Sequence, residues 1–194
     1  MRKSWQIIIF CTLLIPCITA YEARADYQVP DDIPVIAQDG DTCWAAATTM
    51  MFSWRDKSKY GIKQVADKLG KPFRELFDKK AALPSNMLES LVSSAGFKAE
   101  AGCCYPVEGL EQLLKKYGAV IFITREDPNG NRMLHARIVR GISGGPQFDK
   151  AMVDIVDSAG GGKSYKEKFS DFVRKYESVP SGPQKDWISQ VLHF

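Results

Sequence analysis

Histidine is nearly absent from this chain: His135 and His193 are the only two among 194 residues. The sequence also lacks a Cys-x-x-Cys pair and two histidines at metal-binding spacing, and closely spaced ligands of this kind are what metal sites require. No internal repeat, low-complexity tract or linker divides the chain, which excludes a repeat architecture. A metal site is therefore not expected, and chemistry that needs an imidazole has two residues from which to draw.

Charge of one sign is not in excess either. The chain has 26 basic and 23 acidic residues, and without Arg2, Lys3, Arg24 and Glu22 near the N-terminus 23 basic and 22 acidic residues remain. A net charge near +1 creates no field that attracts polyanions. No basic run with interleaved aromatic residues occurs, so nucleic acid is not an expected partner.

The longest apolar run, from Ile7 to Ile18, is shorter than the ~20 residues that a membrane-spanning helix needs. It follows two basic residues and precedes the small residues Ala23 and Ala25, which is the pattern of a secretory signal peptide cleaved near Ala25. Cys17 follows a proline, where a lipid-anchored cysteine would need a small residue. A cleaved signal peptide is therefore favoured over a lipidated or an uncleaved one.

Removal of residues 1–25 leaves residues 26–194, which are enough for a single domain with a sizeable core. We expect this domain to be secreted or periplasmic, without stable membrane insertion after cleavage. It keeps Cys43, Cys103 and Cys104. An odd number of cysteines in an oxidising compartment leaves at least one outside any disulfide within the chain. Two packed thiols are expected at Cys103 and Cys104, rather than a strained disulfide between neighbours.

Helical periodicity dominates the first half of this expected domain, and strand patterns dominate the second half. Helices are predicted over residues 43–54, 62–69, 73–80, 84–94 and 107–117, and strands over residues 119–124, 133–142, 151–156 and 187–194. A further surface helix is predicted over residues 165–176, after a glycine-rich loop at residues 157–162. Helices followed by antiparallel strands indicate an α+β fold.

The segment from Gln38 to Cys43 leads directly into Trp-Ala-Ala-Ala. Cys43 is expected to begin a helix, with Asp41 or Thr42 as its cap. A helix N-terminus stabilises a thiolate, which is the form of cysteine that attacks an electrophile. The segment therefore predicts Cys43 as a nucleophile, with the Gln38 amide beside the Cys43 backbone N–H as an oxyanion donor. A small buried structural cysteine is the alternative.

A general base for Cys43 is expected from His135. Alternation places His135 and Arg137 on one face of the strand at residues 133–142, from which an imidazole can reach a thiol on a facing helix. The competing histidine, His193, is second from the C-terminus.

Asp157 is the expected orienting partner of His135. It ends the next predicted strand, where its carboxylate could accept a hydrogen bond from the second ring nitrogen of the imidazole. Asp154 is the competitor, but three positions earlier it should face the other side of the strand. No asparagine follows His135 in the sequence, which excludes an asparagine orienter downstream.

Taken together, these residues resemble papain-like cysteine proteases. Cys-Trp-Ala-Ala at Cys43, with Gln38 upstream, is similar to the compact bacterial branch that includes plant-pathogen effector proteases, and more remotely to the peptidase domains of bacteriocin-exporting transporters. The resemblance covers most of residues 35–175. It implies a helical N-terminal half, with the catalytic cysteine at a helix start, packed on a C-terminal antiparallel sheet. It also implies a thiol peptidase that uses His135, Asp157 and an acyl-enzyme, without a cofactor.

Two features depart from the pattern of the resemblance. The spacing from Gln38 to Cys43 is one residue shorter than in papain. His135 is followed by Ala-Arg-Ile-Val-Arg, where family members usually carry small or apolar residues ahead of a glycine. Two alternatives are open for Arg137: a solvated side chain, or one that shapes a site for an acidic group.

Three functions are compatible with these residues. The first is a peptidase acting on protein or peptide substrates. The second keeps the thioester chemistry but acts as a peptidoglycan amidase, a deamidase or an acyl transferase. The third is a non-catalytic papain-like binding module in which Cys43 is merely buried. The stretch between Asp26 and Cys43 is too short for an inhibitory pro-segment, so control is expected to lie in export or in a regulatory partner protein.

Overall fold

The computed structural model describes residues 25–100, 104–126, 133–179 and 189–194. Three predicted features lie at least partly outside these ranges: residues 1–24 of the expected signal peptide (1–25), Cys103, and residues 187 and 188 of the last predicted strand. The helices are α1 (Cys43–Asp56), α2 (Ile62–Leu69), α3 (Lys71–Asp78), α4 (Leu88–Ala95), α5 (Val107–Tyr117) and α6 (Phe169–Glu177), and a 3₁₀ turn (Ser85–Met87) precedes α4. The strands are β1 (Tyr27–Gln28), β2 (Lys98–Glu100), β3 (Val120–Glu126), β4 (Met133–Ser143), β5 (Met152–Asp157), β6 (Lys163–Lys168) and β7 (Val191–His193).

The strands form one sheet in the order β2-β7-β3-β4-β5-β6, and β1 pairs with the far end of β4. All pairs are antiparallel. Consecutive strands from β3 to β6 are neighbours, as expected for antiparallel connections. Five of the helices precede this four-stranded run. The predicted α+β class is therefore confirmed.

Helix α1 is the most buried helix of the fold. Its alanines Ala45 and Ala46 are fully buried, so neighbouring backbone can approach the helix closely. The hydroxyls of Thr48 and Thr49 donate to the carbonyls of Trp44 and Ala45, one turn back, at 2.8 Å and 2.7 Å. These bonds satisfy polar groups within the helix itself. A helix whose side chains are apolar, or are hydrogen-bonded to its own backbone, can run through the core. The packing around α1 therefore holds its first residue, Cys43, in a fixed position.

Helix α6 covers part of the sheet by packing on β3. The ring of Phe122 lies 5.1 Å from that of Phe172 and 5.4 Å from that of Tyr176, both with edge-to-face geometry. Such contacts combine apolar burial with favourable quadrupole alignment. The buried residues of α6 are Phe169, Phe172, Val173 and Tyr176.

The predicted helix at residues 165–176 is wrong in its first part. Residues 163–168 form strand β6, which pairs with β5 through a hairpin, and the helix begins only at Phe169. Gly160, Gly161 and Gly162 all have positive φ, so the connection turns sharply enough for β6 to return along β5. The pairing with β5 decides the conformation of residues 163–168, because they lack apolar residues at helical spacing.

Most other element boundaries agree with the prediction to within a few residues. Helices over residues 62–69 and 107–117 have the predicted ends. The predicted helix at 84–94 is divided into a 3₁₀ turn and α4. Strands β1 and β2, of two and three residues, were not predicted, because such short strands carry no periodicity. Among the described helices, none combines the length and the apolar character that crossing a membrane demands.

Gly118, between α5 and β3, sets how closely α1 packs against this junction. Its φ is +76°, and a Cβ built there would overlap the Cη2 atom of Trp54 in the last turn of α1. We expect Gly118→Ala to lower the free energy of unfolding by roughly 2–5 kcal/mol, since backbone strain and overpacking add. Urea denaturation followed by circular dichroism measures this change.

Gly70→Ala is the matched control for this prediction. Gly70 also has positive φ, at +109°, but a Cβ there would meet nothing within 4 Å. Its substitution should cost the backbone strain alone, roughly 1–3 kcal/mol. Equal losses in the two variants would contradict a role for the contact between Gly118 and Trp54.

Candidate active site

A cleft of about 1060 Å³ opens where the first residue of α1 meets the ends of β4 and β5. Its lining includes all four residues that the sequence singles out, together with two neighbours: Gln38, Cys43, Trp44, His135, Asp157 and Tyr165. A concave pocket that gathers several polar and ionisable side chains is the expected form of a binding or catalytic site. The fold thus brings together residues that are more than a hundred positions apart in the chain.

His135 and Asp157 form a buried hydrogen-bonded pair. The Nε2 atom of His135 lies 2.7 Å from Oδ1 of Asp157, and the two residues are only 7% and 5% exposed. Asp157 is the last residue of β5, beside β4, so the sheet itself sets the separation of the two side chains. The carboxylate therefore occupies one ring nitrogen and fixes the orientation of the imidazole.

The electrostatics of the pair favour the charged form of His135. Burial lowers the pKa of the imidazole, but the hydrogen bonds with Asp157 and Cys43 outweigh burial and raise the pKa of His135 to about 9. Since Nε2 is held by Asp157, the nitrogen that remains for Cys43 is Nδ1. An imidazolium next to a thiol stabilises the thiolate.

The carboxylate of Asp157 is held through both oxygens. Besides His135, Oδ1 accepts the backbone N–H of Ala159 at 2.8 Å, and Oδ2 accepts the hydroxyl of Tyr165 at 3.1 Å. Burial raises the pKa of Asp157, but its bonds to His135, Ala159 and Tyr165 outweigh this and hold the pKa below its ordinary value. Asp157 is consequently an anion at neutral pH.

Cys43 is half-buried and is the first residue of α1. Thr42 is the N-cap residue, but its hydroxyl does not cap the helix: it donates to the Asp39 carbonyl at 2.9 Å and accepts the Asp39 N–H at 3.3 Å. The first-turn N–H groups of α1 are therefore not used by the Thr42 side chain. Such groups carry the positive end of the helix dipole and can bind a negative charge.

Gln38 is hydrogen-bonded to Ser158, the residue that follows Asp157 in the chain. The Gln38 N–H donates to the Ser158 carbonyl at 3.0 Å, and the Ser158 hydroxyl donates to Oε1 of Gln38 at 2.8 Å. Its amide nitrogen donates to the Gly40 carbonyl at 2.7 Å, and an amide nitrogen carries two hydrogens. The side chain is thus anchored at the cleft with its donor group on the side of the Cys43 loop.

The two competitors named from the sequence bind elsewhere. Asp154 accepts a hydrogen bond from Nε of Arg140 at 3.2 Å, consistent with its expected position on the other side of β5. His193 lies on β7, where it is 2.9 Å from Glu100 and stacks on Tyr117 at 3.6 Å.

The structure contradicts both alternatives predicted for Arg137, a solvated side chain and a side chain that shapes a site for an acidic group. It is 0% exposed, so it is not solvated, and it is absent from the lining of the cleft. Its guanidinium donates to Thr124 at 3.0 Å, Tyr165 at 3.2 Å and Glu167 at 2.7 Å. The reason is that Arg137 shares a sheet face with β3 and β6 residues beneath α6, which one strand alone does not reveal.

Tyr165 and Ser158 are site residues that the sequence analysis did not find. The sequence predicts a surface helix at Tyr165, and such a helix gives no reason to expect a contact with Asp157. The signal was present in the glycine-rich loop, which is short enough for a hairpin between residues 157 and 163. Recognition of that hairpin would have placed Tyr165 on the strand beside β5, two residues from the position facing Asp157.

Within the described ranges, no three side chains of His, Cys, Asp or Glu come together in a way that could hold a metal ion.

Comparison with family models gives a match over most of the chain. The model described as papain-like cysteine protease AvrRpt2 matches residues 24–177, which include the cleft residues from Gln38 to Tyr165. Comparison with curated proteins gives no match.

The raised pKa of His135 predicts a dependence of stability on pH. An unfolded histidine titrates near 6.5 and the folded one at about 9, so the pair's full contribution is present below pH 6.5 and is lost as pH rises through 9. In the Cys43→Ala variant, where no thiolate ionises together with the imidazole, we expect the free energy of unfolding to fall across this window, by less than ~3 kcal/mol because the contribution of Cys43 to the pKa is lost. Urea titrations at several pH values measure it. His135→Gln and Asp157→Asn should both flatten this slope, and its persistence in both variants would contradict the assignment.

Proposed function

Because this chain belongs to the papain-like cysteine protease AvrRpt2 family, we propose that its thiol peptidase activity uses Cys43 as nucleophile, His135 as acid and base, and Asp157 as the residue that orients His135. The observation that carries this proposal is the single cleft in which the first residue of α1 meets the buried His135–Asp157 pair. A structural cysteine would not need an imidazole held by a buried carboxylate.

The chemistry follows from these positions. The Cys43 thiolate attacks the carbonyl carbon of the scissile peptide bond, and the oxyanion takes hydrogen bonds from the Cys43 backbone N–H and the Gln38 amide. The C–N bond then breaks, and the leaving amine takes a proton from the His135 imidazolium through Nδ1. A thioester remains on Cys43. Neutral His135 removes a proton from water, the hydroxide attacks the thioester, and the C–S bond breaks to release the acid.

The pair formed by His135 and Asp157 supports both halves of this cycle. Asp157 stabilises the imidazolium that accompanies the thiolate before attack and prevents rotation of the ring when Nδ1 is neutral. The pKa of His135, at about 9, keeps the imidazolium populated at neutral pH. Activity should therefore decline on the alkaline side as pH passes through about 9.

Alkylation of Cys43 tests the proposed pair directly. We expect iodoacetamide to label Cys43 rapidly below pH 7, because the adjacent imidazolium stabilises the thiolate, and His135→Ala to abolish this fast labelling. Peptide mass spectrometry measures the rate, with free cysteine in solution as the reference. Labelling that rises only near pH ~8.5, as for an unperturbed thiol, would instead indicate the binding module considered from the sequence.

Turnover is tested in the same preparation with fluorescently labelled casein and with purified peptidoglycan sacculi. Cys43→Ala should abolish hydrolysis of casein without loss of the folded state, and Cys104→Ser, a change at an exposed cysteine outside the cleft, should retain it. Retained turnover in Cys43→Ala would refute the nucleophile. If muropeptides are released from sacculi and casein is not hydrolysed, the enzyme is a peptidoglycan amidase instead.

We also propose that the enzyme acts outside the cytoplasm, on the basis of the signal-peptide pattern ahead of Ala25. The protein recovered from the periplasm or the medium of an expressing bacterium should begin at Asp26, as read by N-terminal sequencing. Replacement of the small residue Ala25 with Lys should leave the precursor unprocessed, because signal peptidase requires a small side chain there. Recovery of the full-length chain from the cytoplasm alone would contradict this location.

A further inference from the structure

The orientation of Asp157 depends on a tyrosine that the catalytic scheme above does not use. Of the two carboxylate oxygens, Oδ1 binds His135 and the Ala159 N–H, whereas Oδ2 accepts the Tyr165 hydroxyl at 3.1 Å. A carboxylate bound through one oxygen alone can still tilt about that contact. A donor on the second oxygen fixes its plane, and with it the direction in which Asp157 holds the imidazole.

Arg137 determines that Tyr165 donates to Asp157. Its Nη1 atom lies 3.2 Å from the Tyr165 oxygen, and a guanidinium has no acceptor atom, so Arg137 is the donor in that contact. The hydroxyl hydrogen of Tyr165 is thereby directed to Oδ2 of Asp157. Burial and Asp157 raise the pKa of Tyr165 to about 12, although Arg137 has the opposite effect. The hydroxyl is therefore protonated at neutral pH.

Arg137 is itself fixed from several elements. Its Nε atom donates to Thr124 on β3, its Nη1 atom donates to Glu167 on β6, and its guanidinium lies 5.5 Å from the ring centre of Phe172 on α6. Lys175 of α6 binds Glu167 at 2.5 Å and closes the cluster. The direction of the Tyr165 hydroxyl is therefore set by the sheet and the covering helix together.

Stability alone does not explain this arginine. Arg137 is fully buried, and its Nη2 atom is buried without a hydrogen-bond partner among the described residues. Burial of a charged group with an unmatched donor costs free energy, and replacing a buried ion pair with apolar residues is often neutral or stabilising. A buried charge with an unpaired N–H donor is expected where a functional site requires it at the expense of stability.

We propose that Tyr165 is a positioning residue for the active site: directed by Arg137, its hydroxyl holds Asp157 in the orientation that aligns His135 with Cys43. This inference rests on the proposed roles of Cys43, His135 and Asp157. It extends that site into a chain of hydrogen bonds from Arg137 through Tyr165 and Asp157 to His135. Tyr165 acts on the reaction only through this chain.

Tyr165→Phe tests the proposal because it removes the hydroxyl and keeps the ring. Arg137 retains its bonds to Thr124 and Glu167 in this variant, so the fold should be preserved. We expect kcat on labelled casein to fall roughly tenfold, the effect of one hydrogen bond to a charged group, with KM unchanged.

The matched control is Tyr60→Phe. The Tyr60 hydroxyl also donates to an aspartate, Asp56, at the same distance of 3.1 Å, but this pair is at the end of α1 and outside the cleft. Tyr60→Phe should leave kcat at the wild-type value. A loss of kcat seen only in Tyr165→Phe is then not a general effect of removing a tyrosine hydroxyl.

A second readout does not require activity. The chain has two histidines, so the imidazole resonances of His135 are readily assigned by NMR with the His135→Ala variant as reference. Around Asp157 lie His135 on β4 and, on β6, Tyr165 and Lys163, the latter opposite Asp157 in register. Protonation of Asp157 in acid shifts the His135 resonances. In Tyr165→Phe this acid step should move to higher pH, since a bond that favours the carboxylate is lost.

The outcomes are separable. A lower kcat together with a higher acid step, with circular dichroism showing a folded chain and Tyr60→Phe unchanged, supports the positioning role. A wild-type kcat or an unmoved acid step in Tyr165→Phe overturns it. Retained turnover in Cys43→Ala, by contrast, refutes the proposed nucleophile and does not affect the NMR result.

Discussion

The structure depends on one buried interaction, the hydrogen bond between His135 and Asp157. An ionisable pair that is removed from water loses hydration, and this loss must be offset by contacts that are nearly ideal in geometry. The protein supplies them from three sides: the sheet sets the spacing, the Ala159 N–H binds the first carboxylate oxygen, and the Tyr165 hydroxyl binds the second. Much of the local architecture around β4, β5 and β6 can be understood as the support of this pair.

Helix α1 brings the thiol to this pair by a different principle. Its fully buried alanines and internally bonded threonines allow it to run through the core without a polar face. A helix packed on all sides cannot slide or rotate without disturbing many close contacts. The thiol of Cys43 is therefore held by packing, whereas the imidazole is held by hydrogen bonds. The cleft is the place where these two kinds of rigidity meet.

The fold class and the candidate site followed from the sequence for local reasons. Apolar periodicity identified the longer helices and strands, and the position of Cys43 before Trp-Ala-Ala-Ala marked the helix start. With two histidines in the chain, His135 was selected largely by elimination. The prediction at residues 165–176 was partly wrong because polar residues such as Lys166 and Lys168 carry no preference strong enough to resist pairing with a neighbouring strand. Strands β1 and β2 escaped notice because two or three residues are too few to show a period.

Residue type, order and the ends of local elements are enough to name Cys43, His135 and Asp157 from the sequence as candidates for nucleophile, base and orienting acid. How these residues are held follows from the packing of the whole fold. Arg137 lies on β4, Tyr165 and Glu167 lie on β6, and their contacts exist only after the strands from β3 to β6 align and α6 covers them. Such a network depends on strand register and on exclusion of water, and these are properties of the packed sheet rather than of any segment of the chain.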